Sequence, residues 1–416
     1  MRAAWGALVV ALVSGSVLAQ DDIEGALKLA DQAPDTKAEA TDFRAFVEGG
    51  VTDSLQNSGT SQLGERLSLD VHDDSALAPG WRFIFADRLD LEQLDHPDSR
   101  NNFNTLKEAY LSWQLQPDLI LDAGRVNLRY GVATGYNPTD FFRPFAIRSI
   151  VSLDPSSLRE NRQGTVLVEG QWLTEQGSVS ALFSPKLADH PSEAEFSPDL
   201  GATNGDNRWL LSATQKVTEA FAPQAILFGG AHQSTQVGVN LSTLVNNATT
   251  AYLEWSGGEA PTLASQAFGQ SGPESFRRRA SLGATYTTDF NLTMTLEYES
   301  NSAGLDQAGL NRIVSASPFA LLGYLAYIAE AQDLPTQRSW FASGTLTDAV
   351  IQHLDITMFA RYDPLSHSRL EWAETRYHFD HADLALQLEY TSGTARSIYG
   401  AIPTQRMVEV LLRYFL

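Results

Sequence analysis

The chain has no cysteine among its 416 residues. Disulfides, thiolate metal sites and cysteine nucleophiles are therefore excluded. Beyond the first 20 residues it also lacks a long hydrophobic run, so the sequence predicts no transmembrane helix. Basic residues are few, with 29 Lys and Arg against 50 Asp and Glu. This balance repels nucleic acid and argues against binding to anionic polymers over the whole surface.

The one strongly apolar segment is the N-terminal MRAAWGALVVALVSGSVLAQDD. A single Arg2, a short apolar run and the residues Val17 and Ala19 are typical of a secretory signal peptide, and we expect cleavage after Ala19. An N-terminal membrane anchor is the alternative, which the interruption at residues 14–16 disfavours. Without Arg2 the mature chain has 28 basic and 50 acidic residues, a net charge of about −22. We expect residues 1–19 to be the signal peptide and 20–42 an acidic periplasmic leader.

A period of two runs through the rest of the chain. The closing MVEVLLRYFL places Val408, Val410 and Leu412 on one side and Glu409 and Arg413 on the other. The same alternation recurs in NLTMTLEYES, HLDITMFARY and ADLALQLEYT. Such a pattern predicts strands with one apolar and one polar face. Because it continues to the last residue, the final strand must have a neighbour to pair with.

Strand length and loop pattern distinguish a membrane barrel from a soluble sandwich or propeller. The runs extend over about 10 residues, as a tilted membrane strand requires, whereas soluble strands average about 5 to 6. Tight connections at 116–118, 174–177, 288–290 and 379–381 alternate with long polar stretches at 127–163, 187–206, 257–274, 301–336 and 392–404. The pattern predicts an all-β, transmembrane, antiparallel up-and-down barrel over 43–416, with short periplasmic turns and long extracellular loops.

We count eighteen strands, with sixteen as the alternative because the hairpin around 223–256 is the least regular. The predicted ranges are 43–54, 64–72, 80–89, 106–115, 118–126, 164–173, 178–185, 207–217, 223–232, 235–244, 249–256, 275–287, 291–300, 337–346, 353–362, 369–378, 382–391 and 406–416. A structural or adhesive barrel without a pore is disfavoured, since this many strands leave an aqueous interior unless loops plug it.

The segment 124–164 connects the fifth and sixth strands and is therefore the third extracellular loop. It is rich in both arginine and bulky apolar residues. The loop contains six arginines but only three acidic residues, and its bulky apolar side chains need to be buried. We therefore expect the loop to fold inward and narrow the pore. Charged side chains in a pore set its selectivity. The alternative is that the arginines only neutralise acidic lumen residues such as Glu108, Asp122, Glu169 and Glu297. The candidate constriction residues are Arg125, Arg129, Asp140, Arg143, Arg148, Arg159 and Arg162.

Further candidate lumen residues lie on two adjacent strands. Period two in FRRRASLGATYTT turns Arg277 and Arg279 into the lumen, and in NLTMTLEYES it does the same for Glu297 and Glu299. The segment SPFALLGYLAYIAEAQD, 317–333, has the apolar content of a helix. It is either an ordinary helical loop that covers its own hydrophobic residues or a gate across the barrel mouth.

Two stretches resemble a known group of proteins. YGVATGYNPTDFFRP (130–144) and LLGYLAYIAEAQDLP (321–335) are similar to segments of a loosely defined group of Gram-negative outer-membrane porins, most of them uncharacterised. The resemblance covers most of the barrel and implies a porin fold without naming a substrate. The closing decapeptide resembles the C-terminal signature that the barrel-assembly machinery recognises, although here Leu416 rather than an aromatic residue is last.

These observations favour an outer-membrane channel for passive diffusion of a small polar or anionic solute. The alternative is a conduit or partner in export from a periplasmic exporter. Expected partners are outer-membrane lipid, the barrel-assembly machinery during biogenesis and a small polar solute, with no nucleic acid; a homo-oligomer stays open. The pairs His232/Ser234 and His378/His381 lack the full set of nucleophile, base and orienting acid. We therefore expect no enzymatic activity, no cofactor and no metal site.

Overall fold

The computed structural model describes residues 42–94, 102–188, 203–317 and 319–416. The expected signal peptide, and the expected leader up to residue 41, lie outside the described residues. Asp42, assigned to the leader from the sequence, instead begins the first strand. Among the described residues, no helix combines the length and the hydropathy needed to cross a membrane.

All eighteen predicted strands are present, which confirms the higher of the two counts. The strands are β1 (Asp42–Gln56), β2 (Ser61–Ala78), β3 (Trp81–Leu94), β4 (Asn102–Gln116), β5 (Leu119–Val126), β6 (Thr165–Thr174), β7 (Gly177–Ser184), β8 (Arg208–Gln215), β9 (Gln224–Gly230), β10 (Gln233–Asn246), β11 (Thr249–Ala260), β12 (Ser275–Thr287), β13 (Leu292–Asn301), β14 (Arg338–Leu346), β15 (Leu354–Asp363), β16 (Ser368–His378), β17 (Ala382–Ser392) and β18 (Thr404–Phe415).

The strands form one closed antiparallel ring. Each pairs with its neighbours in sequence, and β18 pairs back onto β1 over a register that includes Phe46 opposite Phe415 and Val51 opposite Val410. The last residue also takes part, since the Leu416 N–H donates to the Ala45 carbonyl over 2.9 Å. Closure removes every strand edge, which explains why the apolar alternation continues to the end of the chain.

The two faces of the wall have opposite character. On β18 the outward side chains of Val410, Leu412 and Tyr414 are about half exposed, whereas the inward side chains of Glu409 and Leu411 are buried. The same contrast holds on β13 and β17, where the leucines face outward and the carboxylates face inward. An outward apolar belt on a closed antiparallel barrel is the lipid-facing surface of a transmembrane barrel, with the short turns on the periplasmic side.

Four helices lie in the described parts of the long loops: α1 (Pro155–Glu160), α2 (Leu263–Ala267), α3 (Gln307–Ala316) and α4 (Ala320–Ala331). The α4 helix falls within the predicted helical segment, whereas α3 was not predicted. Asp306 caps α3 by accepting a hydrogen bond from the Gly309 N–H. The buried faces of α2, α3 and α4 pack together with Ile398 and Tyr399 of the β17–β18 loop into one apolar cluster at the extracellular end.

A buried carboxylate ties together the strands on both sides of the closure. Glu48 on β1 is 1% exposed and accepts hydrogen bonds from Arg88 on β3, at 2.9 Å, and from Arg413 on β18, at 2.8 Å. Arg66 on β2 lies 3.4 Å from the same carboxylate. A buried charge with several charged donors is costly to leave half-paired. Glu48 therefore joins four strands at the place where the ring closes.

Replacing Glu48 with Gln should destabilise the barrel, because three guanidinium groups, those of Arg66 and Arg88 buried and that of Arg413 partly buried, lose their shared counter-ion. We expect the free energy of unfolding to fall by about 3 kcal/mol. The measurement is the temperature at which the protein loses its folded mobility on gels. Glu175→Gln, an exposed glutamate in the β6–β7 turn, is the matched control and should leave that temperature unchanged. An unchanged midpoint for Glu48→Gln would show that the network does not stabilise the closure.

Candidate functional site

The connection between β5 and β6, residues 127–164 and here called loop 3, lies inside the barrel. The inner face of β6–β9 carries an apolar cluster, in which Leu167, Leu210 and Phe228 are almost completely buried. Phe141 of loop 3 stacks on Phe228 with ring centroids 4.8 Å apart, and Phe142 meets the same ring edge-on. An apolar inner wall would be unfavourable against water, so the loop supplies the cover that this wall needs.

A carboxylate on β11 binds the next part of loop 3. Glu254 is fully buried and accepts the backbone N–H groups of Val132 at 2.9 Å, Ala133 at 3.0 Å and Thr139 at 2.8 Å. The amide of Asn137 also donates to it, at 3.2 Å. Hydrogen bonds to an ionised group are roughly twice as strong as those between neutral groups. The loop backbone therefore compensates a charge that burial would otherwise penalise.

A second carboxylate, on β13, continues the same set of contacts. Glu297 accepts the backbone N–H groups of Thr134 at 2.5 Å and Gly135 at 2.9 Å, and the hydroxyl of Tyr252 at 2.5 Å. The N–H groups of four consecutive residues, 132–135, thus bind two strand carboxylates. The loop therefore binds Glu297 through backbone N–H groups, and not through an arginine side chain as in the alternative considered above.

Two glycines make this close approach possible. A Cβ atom at Gly131, whose φ is +106°, would lie 2.6 Å from both carboxylate oxygens of Glu254. A Cβ atom at Gly135 would lie 2.6 Å from the Phe341 ring and 2.7 Å from Glu299. Contacts under 3.0 Å cannot be accommodated without displacement of the loop. The glycines of YGVATG are therefore required by packing against β11, β13 and β14.

Loop 3 also reaches the opposite wall. The hydroxyl of Ser149 donates to Asp90 on β3 over 2.5 Å. In the closed ring, β3 and β13 are eight strand steps apart in one direction and ten in the other. Contacts with Asp90 on one strand and Glu297 on the other therefore lie on nearly diametrically opposed walls. The loop spans the lumen from side to side.

The tip of loop 3 is held by the last turn of α4 and by the segment that follows it. Phe145 has a φ of +59°, a left-handed conformation that is uncommon for a bulky residue, and its N–H donates to the Glu330 carbonyl over 2.8 Å. The hydroxyl of Tyr136 donates to Asp333 over 2.5 Å, and Arg279 pairs with the same carboxylate at 2.9 Å. Burial alone would raise the pKa of Asp333, but Arg279 and Arg143 outweigh it and hold that pKa below its usual value.

Three of the predicted constriction residues have structural contacts within the loop. Arg162 is buried and forms an ion pair with Asp140, with 3.0 Å between Nη1 and Oδ2. Arg125 is also buried and donates to the Gly164 carbonyl over 2.5 Å. These side chains hold the base of loop 3 together, and their burial removes them from the solvent-filled part of the lumen.

The remaining loop arginines are at least partly exposed. Arg143 lies over the Tyr136 ring at 5.0 Å and donates to the Asn137 carbonyl. Burial, together with Arg143 and Arg162, lowers the pKa of Arg148 to about 10, so it is still charged at neutral pH. Arg159 donates to the Tyr130 carbonyl, and burial lowers its pKa. Arg129 is exposed and lines a cavity of about 390 Å³ beside β1–β4.

The four strand residues named as lumen candidates lie on the inward side of β12 and β13. Glu297 and Glu299 are completely buried there, and Glu299 pairs with Arg361 at 3.0 Å. Arg279 binds Asp333, whereas Arg277 donates to the carbonyls of Ala260 and Ser302. The two arginines therefore connect the wall to the extracellular loops.

Sequence reasoning did not single out Glu254, Asp333 or Arg361. For Glu254 a signal was present, because period two in TTAYLEWS turns Glu254 inward together with Tyr252. A second signal lies in WLLSATQ and AILFGG, where Leu210 and Leu211 are adjacent and both faces are apolar. An inner face of that kind predicts a cover inside the lumen. For Asp333 and Arg361 no local pattern marks the contact with loop 3.

The histidines considered as catalytic candidates bind neighbouring carboxylates. His232 lies 2.6 Å from Asp206 near the extracellular rim, and His378 lies 2.8 Å from Asp383 on the lumen side of β17. Within the described residues, no group of three or more His, Asp and Glu side chains is arranged as a metal site.

The fold and the inward loop define the class of the protein. A closed 18-stranded barrel with a lipid-facing apolar belt, long extracellular loops and a polar lumen crossed by its third loop has the fold of a porin-type outer-membrane β-barrel. No family model matches the sequence, and a search of curated proteins found no match.

Solved structures show the same fold. OpdQ of Pseudomonas aeruginosa aligns over 91% of this chain and 99% of its own, with 10% identity and a TM-score of 0.56. OccAB1 of Acinetobacter baumannii aligns over 90% and 96%, with 11% identity and a TM-score of 0.55. The outer membrane protein opdK of Pseudomonas aeruginosa aligns over 91% and 98%, with 8% identity and a TM-score of 0.56. At these identities the similarity shows the fold alone.

Replacing Glu254 with Gln should loosen loop 3, because the loop N–H groups lose a charged acceptor. We expect anchoring to weaken by about 2 kcal/mol, which corresponds to a roughly thirtyfold larger population of detached loop. Trypsin cleavage after Arg148 in the folded barrel would report it. Glu259→Gln, an exposed glutamate on the same strand, is the control. Equal cleavage rates in the two variants would contradict the anchoring role.

Proposed function

We propose that the protein is an outer-membrane channel for passive diffusion of a small polar or anionic solute, with loop 3 as its constriction. The observation that carries the proposal is that loop 3 binds Glu297 on β13 and Asp90 on β3, on opposed walls of the lumen. A segment fixed at both walls reduces the open cross-section to what remains beside it. Barrels of this strand number otherwise leave a water-filled interior.

The open part of the lumen lies beside the strands that loop 3 does not cover. Cavities of about 400 Å³ and 390 Å³ are lined by β1–β4 and β14–β18 together with residues 151–161 of the loop. Volumes of this size accommodate small molecules. They support a channel for small solutes, whereas a conduit for export would need a wider passage for its cargo.

Partners follow from the same features. The strictly alternating β18, with Phe415 and Leu416 at its end, supports recognition of this strand by the barrel-assembly machinery. Its apolar outward face supports stable contact with outer-membrane lipid. A single chain closes the wall of the barrel, and a second subunit is not needed for this. A homo-oligomer stays a prediction, which the size of the detergent-solubilised protein would test.

Deleting residues 134–150 should raise single-channel conductance roughly twofold or more, because the obstruction between the two walls is removed. Planar-bilayer recordings of the purified, refolded protein would measure it. The deletion also removes the Glu297 contact, so its folded gel mobility must be verified first. Conductance equal to that of the wild type would contradict the constriction.

Replacing Arg143 and Arg148 by Ala should shift the reversal potential toward cations, since both side chains are charged and partly exposed within loop 3. The effect should be largest at low salt, where screening is weakest. Arg396→Ala, an exposed arginine of the β17–β18 loop, is the control for a charge outside the constriction. An unchanged reversal potential at low salt in the double variant would show that these arginines do not face the permeation path.

A further inference from the structure

The larger of the two lumen cavities, about 400 Å³ and here called the lumen cavity, lies between loop 3 and the strands around the barrel closure. Residues 151–161 of loop 3 form one side, and inward side chains of β1–β3 and β14–β18 form the other. The volume is within the range of small-molecule sites, about 300–1,000 Å³. A solute that passes beside loop 3 would contact this lining.

The arginines of the lumen cavity are all neutralised by carboxylates. Arg88 pairs with Glu48 at 2.9 Å and with Asp90 at 3.0 Å. Arg413 pairs with the same Glu48, and Arg376 pairs with Glu374 at 2.8 Å. In total, six carboxylates and three arginines line the cavity. The excess of negative charge makes the cavity unfavourable for an anion.

The uncharged polar side chains of the cavity have a different arrangement. Thr345 on β14 and Thr357 on β15 are half-buried neighbours with 3.2 Å between their hydroxyl oxygens. In such a pair one hydroxyl donates to the other, so the second keeps a hydrogen to donate and both keep lone pairs to accept. The hydroxyls of Ser152 and Ser157 on loop 3 also line the cavity.

The hydroxyl lining continues along the adjacent wall. On β12 and β13, Thr285 and Thr295 form a second cross-strand pair at 2.8 Å, and Thr287 and Thr293 form a third at 3.1 Å. The indole of Trp372, almost completely buried and stacked on Phe359, is also among the residues that line the cavity. Hydroxyl groups that both donate and accept, next to an aromatic ring, match a solute that carries many hydroxyl groups on a carbon skeleton.

We propose that the lumen cavity binds a neutral, hydroxyl-rich solute, a sugar or polyol, during its passage through the barrel. This inference rests on the proposed function, and it narrows the solute to the neutral polar class. The paired arginines position the walls, while the threonine and serine hydroxyls make the contacts with the solute.

The experiment uses the full-length refolded protein in planar bilayers, with glucose and its acid, gluconate, as probes. We expect glucose to reduce the potassium chloride current in a saturable manner. Gluconate, of similar size but negatively charged, should require at least a tenfold higher concentration for the same reduction. Tighter binding of gluconate than of glucose, or a current that neither solute blocks saturably, would overturn the inference. A wild-type protein that carries no ion current at all would instead contradict the proposed channel function.

The double variant Thr345→Val, Thr357→Val preserves side-chain shape and removes both hydroxyls. Its apparent dissociation constant for glucose should rise roughly tenfold, as expected for the loss of two hydrogen bonds. Its potassium chloride conductance without sugar should match that of the wild type. The control is Thr375→Val on β16, which lies opposite the outward-facing Leu386 and should leave glucose binding unchanged. A double variant that binds glucose as tightly as the wild type would show that these hydroxyls are not the contacts.

Discussion

Backbone hydrogen bonding in lipid is the constraint on which the rest of this structure depends. A strand in the hydrocarbon region has no water to satisfy its N–H and C=O groups, so the sheet must close on itself. Pairing of β18 with β1 meets that requirement. It also fixes which side chains point inward, and thereby concentrates polar and charged groups in the lumen. Glu48 and its arginines are one result, placed where the first and last strands meet.

The lumen is divided into two parts of different chemistry. Around β6–β9 the inner wall carries an apolar cluster that loop 3 covers, whereas around β16–β3 it carries paired charges and is left open. Burial of the apolar cluster and hydration of the charged wall therefore both favour the same position of loop 3 in the lumen. The loop packs against the part of the wall where water is unfavourable and leaves space beside the part whose charged groups favour water. The position of the passage follows from the side chains of the wall as much as from the loop.

The fold was largely predictable because period two is a local property. Each strand could be recognised from its own ten residues, and the tight turns showed which strands are neighbours. The contacts of loop 3 were not predictable in the same way. Glu254 and Gly131 are more than 100 residues apart, and they meet because the ring brings β11 beside the loop. The six loop arginines could be counted from the sequence. Which of them would be buried, as Arg162 is with Asp140, depends on the folded path of the loop.

Loop 3 is bound to Glu254 and Glu297 through the N–H groups of residues 132–135. Packing requires glycine at position 135, but the N–H contacts of the exposed position 134 do not require a particular side chain there. Thr134 shows the result, since its N–H is held by Glu297 while its side chain is exposed to the lumen. The surface that a solute meets here can therefore change by mutation without loss of the bonds that hold the segment. The backbone holds this segment in place, and its exposed side chain faces the lumen. Barrels that share this arrangement would therefore be able to change the lining of the lumen while they keep the same loop path.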